Sequence, residues 1–206
     1  MRRWAVLALA AGLIGAAAPP PGLTDLRPIT LHPGINKVPG FLPGGGTATI
    51  VEAWRGNGNA HGHHVWMVLG GASEGNAVGV VGREGDDRDP VFDTITDSPF
   101  DGERVLGAVR FVTARVAGVP ATLLVTADLA ESDGGVLADH AVATVRWFRL
   151  DHDADAVGRP ADEFVAIGKV RTVRRYCNAE VALRDVAMIP LPRDYAGANR
   201  TDGCFG

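Results

Sequence analysis

The sequence contains few serines and cysteines and has no excess of basic residues. Only three of its 206 residues are serines, Ser73, Ser98 and Ser132, and none has a lysine three positions later. The S-x-x-K centre of serine β-lactamases and penicillin-binding proteins is therefore absent. Its 20 basic residues are outnumbered by 24 acidic ones, which argues against a nucleic-acid-binding protein. The sequence also lacks a phosphate-binding loop and a dinucleotide fingerprint.

A long apolar run occurs only near the start of the chain. Arg2 and Arg3 precede a stretch from Trp4 to Ala18 that ends in small residues and is followed by three prolines, a pattern typical of a signal peptide. The run is shorter than the ~20 residues that a membrane helix needs. We therefore predict a signal peptide over residues 1–18, one β-rich domain over residues 19–206, and a periplasmic or secreted protein without a membrane anchor.

The two cysteines, Cys177 and Cys204, are predicted to form a disulfide, because exported proteins enter an oxidising compartment. Closing a loop of this length stabilises the fold by roughly 3 to 4 kcal/mol in the chain-entropy model. A catalytic thiol or a pair of metal ligands are the alternatives. Neither has a Cys-x-x-Cys or Cys/His pairing nearby in the sequence.

Short segments rich in valine and threonine, separated by turn residues, predict strands. They cover residues 47–54, 64–69, 77–81, 105–116, 121–127, 141–150 and 163–173. Residues 118–120, Gly-Val-Pro, are predicted to form a hairpin turn. In the segment 141–150, Val145 and Trp147 share one face, and Phe148 and Leu150 share the other, which predicts burial on both sides.

One segment, residues 178–186, predicts a helix, because Asn178 is a good N-cap and good helix formers follow it. The predicted fold is therefore mainly β: a two-layer antiparallel sandwich-like domain with a short C-terminal helix.

The densest group of candidate metal ligands is His61-Gly62-His63-His64. On an extended backbone His61 and His63 share a face, which suits zinc or copper, and His140 or His152 could supply a third ligand through the fold. The H-x-H-x-D motif of metallo-hydrolases is incomplete, because Val65 replaces the aspartate. Loop histidines that hydrogen-bond to the backbone are the favoured interpretation, so no metal or other cofactor is predicted.

Four residues form the predicted ligand-binding surface: Trp54, His61, His63 and Trp66. The two tryptophans would supply an apolar, aromatic sheet surface for a small ligand or a partner protein. Simple core packing is the alternative role for each tryptophan.

Ser73 lies in a G-x-S-x-G sequence, residues 71–75, that matches a nucleophile elbow. A true elbow leads into a helix, whereas residues 76–82 are poor in helix formers and predict a strand. We therefore predict a glycine-rich turn and no catalytic residues. A serine hydrolase that uses Ser73 with His140, or a metal-dependent hydrolase that uses His61 and His63, is the alternative function.

Several segments together resemble the CarG-like family of exported carbapenem intrinsic-resistance proteins. They are residues 31–36 (LHPGIN), 59–61 (NAH) after Trp54-Arg55, 145–150 (VRWFRL) with 158–160 (GRP), and 176–182 (YCNAEVA). The chain departs from the family at residues 43–46 (PGGG), where such proteins tend to have an Asp-Gly-rich turn.

The resemblance implies a Gram-negative periplasmic protein that protects against a β-lactam without being a classical β-lactamase. It carries over no catalytic residues. The expected function is thus that of a non-enzymatic protective or binding protein. Its expected partner is a small-molecule ligand or a periplasmic protein, with no nucleic acid and no membrane anchor, and a homodimer is left open.

Overall fold

The computed structural model describes residues 19–58, 62–70, 76–81, 91–92, 94–97, 105–130, 140–157, 160–193, 195 and 199–204. At residues 76–77, 79–81 and 91–92 only the backbone is described. The predicted signal peptide, His61 and Ser73 lie outside these ranges.

Within these ranges the chain forms strands, one 3-10 turn at Pro43–Gly45 and one α-helix. The strands are β1 (Leu23–Pro28), β2 (Gly34–Val38), β3 (Ala48–Arg55), β4 (His63–Gly70), β5 (Asn76–Ala77), β6 (Gly79–Val81), β7 (Val91–Phe92), β8 (Ile95–Thr96), β9 (Gly107–Val116), β10 (Val119–Leu129), β11 (Ala141–His152) and β12 (Asp162–Tyr176). The helix is α1 (Ala179–Ala187).

The strands form two sheets. The seven-stranded sheet has the order β1-β9-β10-β11-β12-β6-β7, and the five-stranded sheet has the order β2-β3-β4-β5, with β8 also paired to β4. Neighbouring strands are antiparallel except for β6, which runs parallel to β12. The predicted mainly β, two-sheet fold with a short C-terminal helix is confirmed.

Both faces of the seven-stranded sheet are buried, as the pattern in β11 predicted. Phe148 and Leu150 belong to the core between the two sheets, together with Ile50 and Val68 of the five-stranded sheet. Trp147 lies on the other face, in the core that includes the helix. The helix therefore adds a third layer, which explains why β11 is apolar on both sides.

The C-terminal helix begins where its cap predicted. The side chain of Asn178 accepts a hydrogen bond from the backbone N–H of Glu180 at 2.8 Å, and Asn178 itself is buried. Val181, Ala182 and Leu183 are buried and form the inner side of the helix. The helix ends at Ala187, one residue later than predicted. The described residues contain no helix that is both long enough and apolar enough to span a bilayer.

The predicted hairpin turn at residues 118–120 is wrong by one position. The turn consists of Ala117 and Gly118, with φ of 50° and 81°, and Val119 and Pro120 already belong to β10. Two-residue hairpin loops favour positive φ at both central positions, because that backbone twist matches the twist of the strands. Val116 and Val119 then face each other across the ladder.

The predicted strand at residues 77–81 is divided between the two sheets. β5 pairs with β4 in the five-stranded sheet, whereas β6 pairs with β12 in the seven-stranded sheet. Between them Val78 is buried, and its backbone N–H donates to the carbonyl of Val68 at 2.8 Å. This residue therefore links the two layers.

Candidate functional site

The aromatic site, as we name it, comprises Glu52, Trp54, His64, Trp66 and Asp97. The ladder between β3 and β4 sets Trp54 opposite His64, and Glu52 opposite Trp66. Paired residues of antiparallel strands point to the same face, so these four side chains share a face. It is also the core-facing side of the sheet, because Ile50 and Val68 pair one step further along.

The three rings of the aromatic site form a continuous row. The centroids of Trp54 and His64 are 4.8 Å apart with nearly perpendicular planes, and those of His64 and Trp66 are 5.4 Å apart in a stacked arrangement. Trp66 is buried and Trp54 is 53% exposed. The row therefore runs from the core to the surface, and Trp54 presents an aromatic surface to solvent.

A buried carboxylate fixes His64. Oδ1 of Asp97 accepts the backbone N–H of His64 at 2.6 Å, and Oδ2 lies 2.7 Å from Nδ1 of the imidazole. An ionised carboxylate only accepts hydrogen bonds, so the imidazole donates to Oδ2 in the tautomer that carries its proton on Nδ1. Asp97 is only 8% exposed and directly follows β8, which pairs with β4.

A second carboxylate holds the buried end of the row. Oε2 of Glu52 accepts the indole N–H of Trp66 at 3.1 Å. Buried indole N–H groups usually need such a partner, so Glu52 allows Trp66 to sit at the edge of the core. The aromatic site thus combines stacking surfaces with two negative groups.

Gly62 lies directly against the indole of Trp54. A Cβ atom at this position would overlap Cζ2 and Cε2 of Trp54, and would also come close to the carbonyl of Arg55. Only glycine lets the backbone approach the ring this closely. Gly62, directly before β4, therefore helps to set the orientation of the exposed indole.

The structure unites only part of the predicted ligand-binding surface. Trp54 and Trp66 share the aromatic site, whereas His63 pairs with Arg55 on the opposite face of β4, and His61 lies outside the described residues. The imidazole between the tryptophans is His64. Core packing, the alternative role for both tryptophans, applies to Trp66 but not to Trp54.

Asp97 and Glu52 were not predicted. Asp97 follows a two-residue strand that has no recognisable sequence pattern, and it is 33 residues away from His64. The sequence did contain a signal for Glu52, because this residue lies two positions from both Ile50 and Trp54 in a predicted strand and therefore shares their face. It is the register with β4 that gives this residue its role.

The predicted disulfide between Cys177 and Cys204 is confirmed. A third group lies beside it: Nε2 of His140 is 3.0 Å from Sγ of Cys204 and 3.6 Å from Oδ2 of Asp202. In the described part of the chain, His140, Cys177 and Cys204 are the one group of three metal-ligand residues whose ligand atoms lie close together. We call these three residues and Asp202 the C-terminal cluster.

A cavity of about 550 Å³ opens at the end of the sandwich where Gly40–Gly45 meets β9, β10 and the end of β11. Its polar side includes Arg149, Asp151 and His152. Arg149 makes a two-pronged ion pair with Asp151, at 2.5 and 2.7 Å, and this hydrogen bonding raises the pKa of Arg149. The positive charge of the Arg149 guanidinium is thus balanced by the carboxylate of Asp151.

Among solved structures, the chain is similar to one described as "Crystal structure of CarG", with a TM-score of 0.60 and 21% sequence identity. The match covers 80% of this chain and 99% of that chain. No protein-family model and no curated protein matches the chain. The comparison shows a shared fold, and it confirms at that level the resemblance to CarG-like proteins found in the sequence.

Proposed function

We propose that this protein is an exported, non-enzymatic protective protein of the CarG type, which raises carbapenem tolerance by binding rather than by turnover. One observation carries the proposal: the fold is shared with CarG over 99% of that chain. The apolar run from Trp4 to Ala18, preceded by two arginines, supports export, and the disulfide suits an oxidising compartment.

We further propose the aromatic site as the ligand-binding surface. The exposed indole of Trp54 offers a flat apolar surface whose position is set by Gly62 and His64. The ring face of a ligand would lie on the indole of Trp54. Because Glu52 and Asp97 both contribute negative charge, a ligand carboxylate would point away from these two residues.

The alternative of a metal-dependent or serine hydrolase is not favoured. His63 lies on the opposite face of β4 from the aromatic site. His140, the suggested partner of Ser73, lies beside the disulfide. Neither histidine is thus positioned next to the ligand-binding surface that we propose.

The test is expression of the full chain in a carbapenem-susceptible Gram-negative strain. We expect a higher inhibitory concentration of carbapenem, which is lost on deleting residues 1–18 and reduced by Trp54→Ala. Val173→Ala serves as the control, because Val173 is also an exposed apolar residue and lies on β12, in the other sheet.

Unchanged susceptibility with the full chain would refute the protective function. Full protection by Trp54→Ala would show that the ligand binds at another part of the protein. Incubating the purified protein with a carbapenem separates binding from turnover: loss of the lactam absorbance would mean that the protein is a hydrolase.

A further inference from the structure

The C-terminal cluster brings together side chains that the sequence keeps apart. His140 precedes β11, Cys177 follows β12, and Cys204 lies in the last segment of the chain. Nε2 of His140 and the two sulfurs lie within 4.8 Å of one another. As long as the disulfide is intact, the sulfurs cannot act as thiolate ligands.

The surrounding contacts hold these groups in place independently of the disulfide. The backbone N–H of Cys177 donates to the carbonyl of Asp202 at 2.9 Å. The side chain of Asn199 accepts backbone N–H groups of residues 201–203. Gly203 packs so closely on Asn178 that a Cβ atom at position 203 would overlap that side chain. The segment 199–204 is therefore docked on the start of α1 by hydrogen bonds and packing.

We propose that reduction of the disulfide converts the C-terminal cluster into a Zn²⁺ site, with Cys177, Cys204 and His140 as ligands and Asp202 as the fourth. Two thiolates, one imidazole and one carboxylate suit tetrahedral zinc. The sulfurs would separate to about 3.8 Å, the spacing of two ligands at 2.3 Å on a tetrahedral ion. Cys204 makes this movement, because it is only half-buried, whereas Cys177 is buried beside the helix.

The conversion balances as two steps. A dithiol reductant transfers two electrons, so that the Cys177–Cys204 bond becomes two thiols and the reductant becomes a disulfide. Zn²⁺ then binds the two thiolates and releases two protons to solvent. The C-terminal segment stays attached to α1 in both states, first through the disulfide and then through the metal.

The experiment measures Zn²⁺ affinity of the full chain by competition with a chromogenic chelator. The protein is kept oxidised, or is reduced anaerobically with a phosphine, which avoids a competing thiol ligand. We expect one tight Zn²⁺ per reduced chain and none for the oxidised chain. Co²⁺ in place of Zn²⁺ should give the absorption of a tetrahedral thiolate site.

Variants assign the ligands. We expect the double substitution Cys177→Ser with Cys204→Ser to abolish tight binding. His140→Ala and Asp202→Asn should each weaken Zn²⁺ binding by at least the roughly 10- to 100-fold that the loss of an outer-shell partner costs. His152→Ala is the matched control, because His152 has the same 49% side-chain exposure as His140 and also lies beside a carboxylate, Asp162.

Two results would overturn the proposal: reduced wild type that binds Zn²⁺ no more tightly than the double serine variant, or His140→Ala with unchanged affinity. Circular dichroism monitors the fold of the reduced protein. If reduction unfolds the chain, recovery of the native spectrum on adding Zn²⁺ supports the site, and failure to recover contradicts it.

Discussion

Removing the carboxylate of Asp97 tests whether the aromatic site is a fixed structure. Asp97→Ala takes away both acceptors of His64, at its backbone N–H and at Nδ1. The conservative variant Asp97→Asn keeps one oxygen for the backbone N–H. Its amide group then faces Nδ1, which must become an acceptor by moving its proton to the other ring nitrogen.

The expected loss of unfolding free energy depends on how deeply each of the two hydrogen bonds is buried. A hydrogen bond to a charged group contributes about 1.5–3 kcal/mol, and this applies to the backbone bond, because Asp97 is nearly buried. The bond to the imidazole adds less, about 0–1 kcal/mol, because the His64 side chain is 38% exposed. We expect Asp97→Ala to lower the free energy of unfolding by about 2–3 kcal/mol and Asp97→Asn by about 1 kcal/mol.

Urea unfolding followed by circular dichroism measures these losses, and tryptophan emission reports on Trp54 and Trp66 together with the buried Trp147. The control is Asp151→Ala, which removes a carboxylate from a half-exposed pair with Arg149 and should cost about 1 kcal/mol or less. The reasoning would be refuted if Asp97→Ala were no more destabilising than this control, or if the asparagine variant were as unstable as the alanine variant.

Two further predictions concern other contacts. Thr122→Val should cost about 1–2 kcal/mol in urea unfolding, because the buried Thr122 hydroxyl donates to the carbonyl of Phe41 at 2.6 Å; a loss no larger than that of Thr126→Val, on the same strand, would contradict this. The hydrogen bond from the backbone N–H of Cys204 lowers the pKa of Asp202 below its ordinary value. The stabilisation by ionised Asp202 is therefore fully present above about pH 4 and is lost as the pH falls through the lowered pKa. The difference in unfolding free energy between wild type and Asp202→Asn should be constant near neutral pH and should narrow in acid, and a gap that widens in acid would be inconsistent with the shift.

Features that depend on neighbouring residues were predictable from the sequence. Asn178 caps its helix through a bond to Glu180, two residues away. The two-sided burial of β11 follows from its alternating side chains and needs no knowledge of its partners. The disulfide followed from there being only two cysteines in a chain with a predicted export signal.

Short strands with weak patterns were missed, because their formation depends on residues that are distant in the sequence. β1, β2, β7 and β8 were not predicted, because their few residues carry no strong alternation and are held by pairing to longer strands. The divided strand at residues 77–81 belongs to this group as well, because a local pattern cannot reveal which of two sheets each half joins.

Taken alone, the sequence determined the layered β architecture, the helix start, the covalent link and the two tryptophans of interest, since each depends on residue type and short spacing. Tertiary structure alone decided that His64 rather than His63 stands between those tryptophans, that Asp97 fixes it, and that His140 meets the disulfide. Strand register and docking of distant segments set these contacts, and both result from the packing of the whole chain.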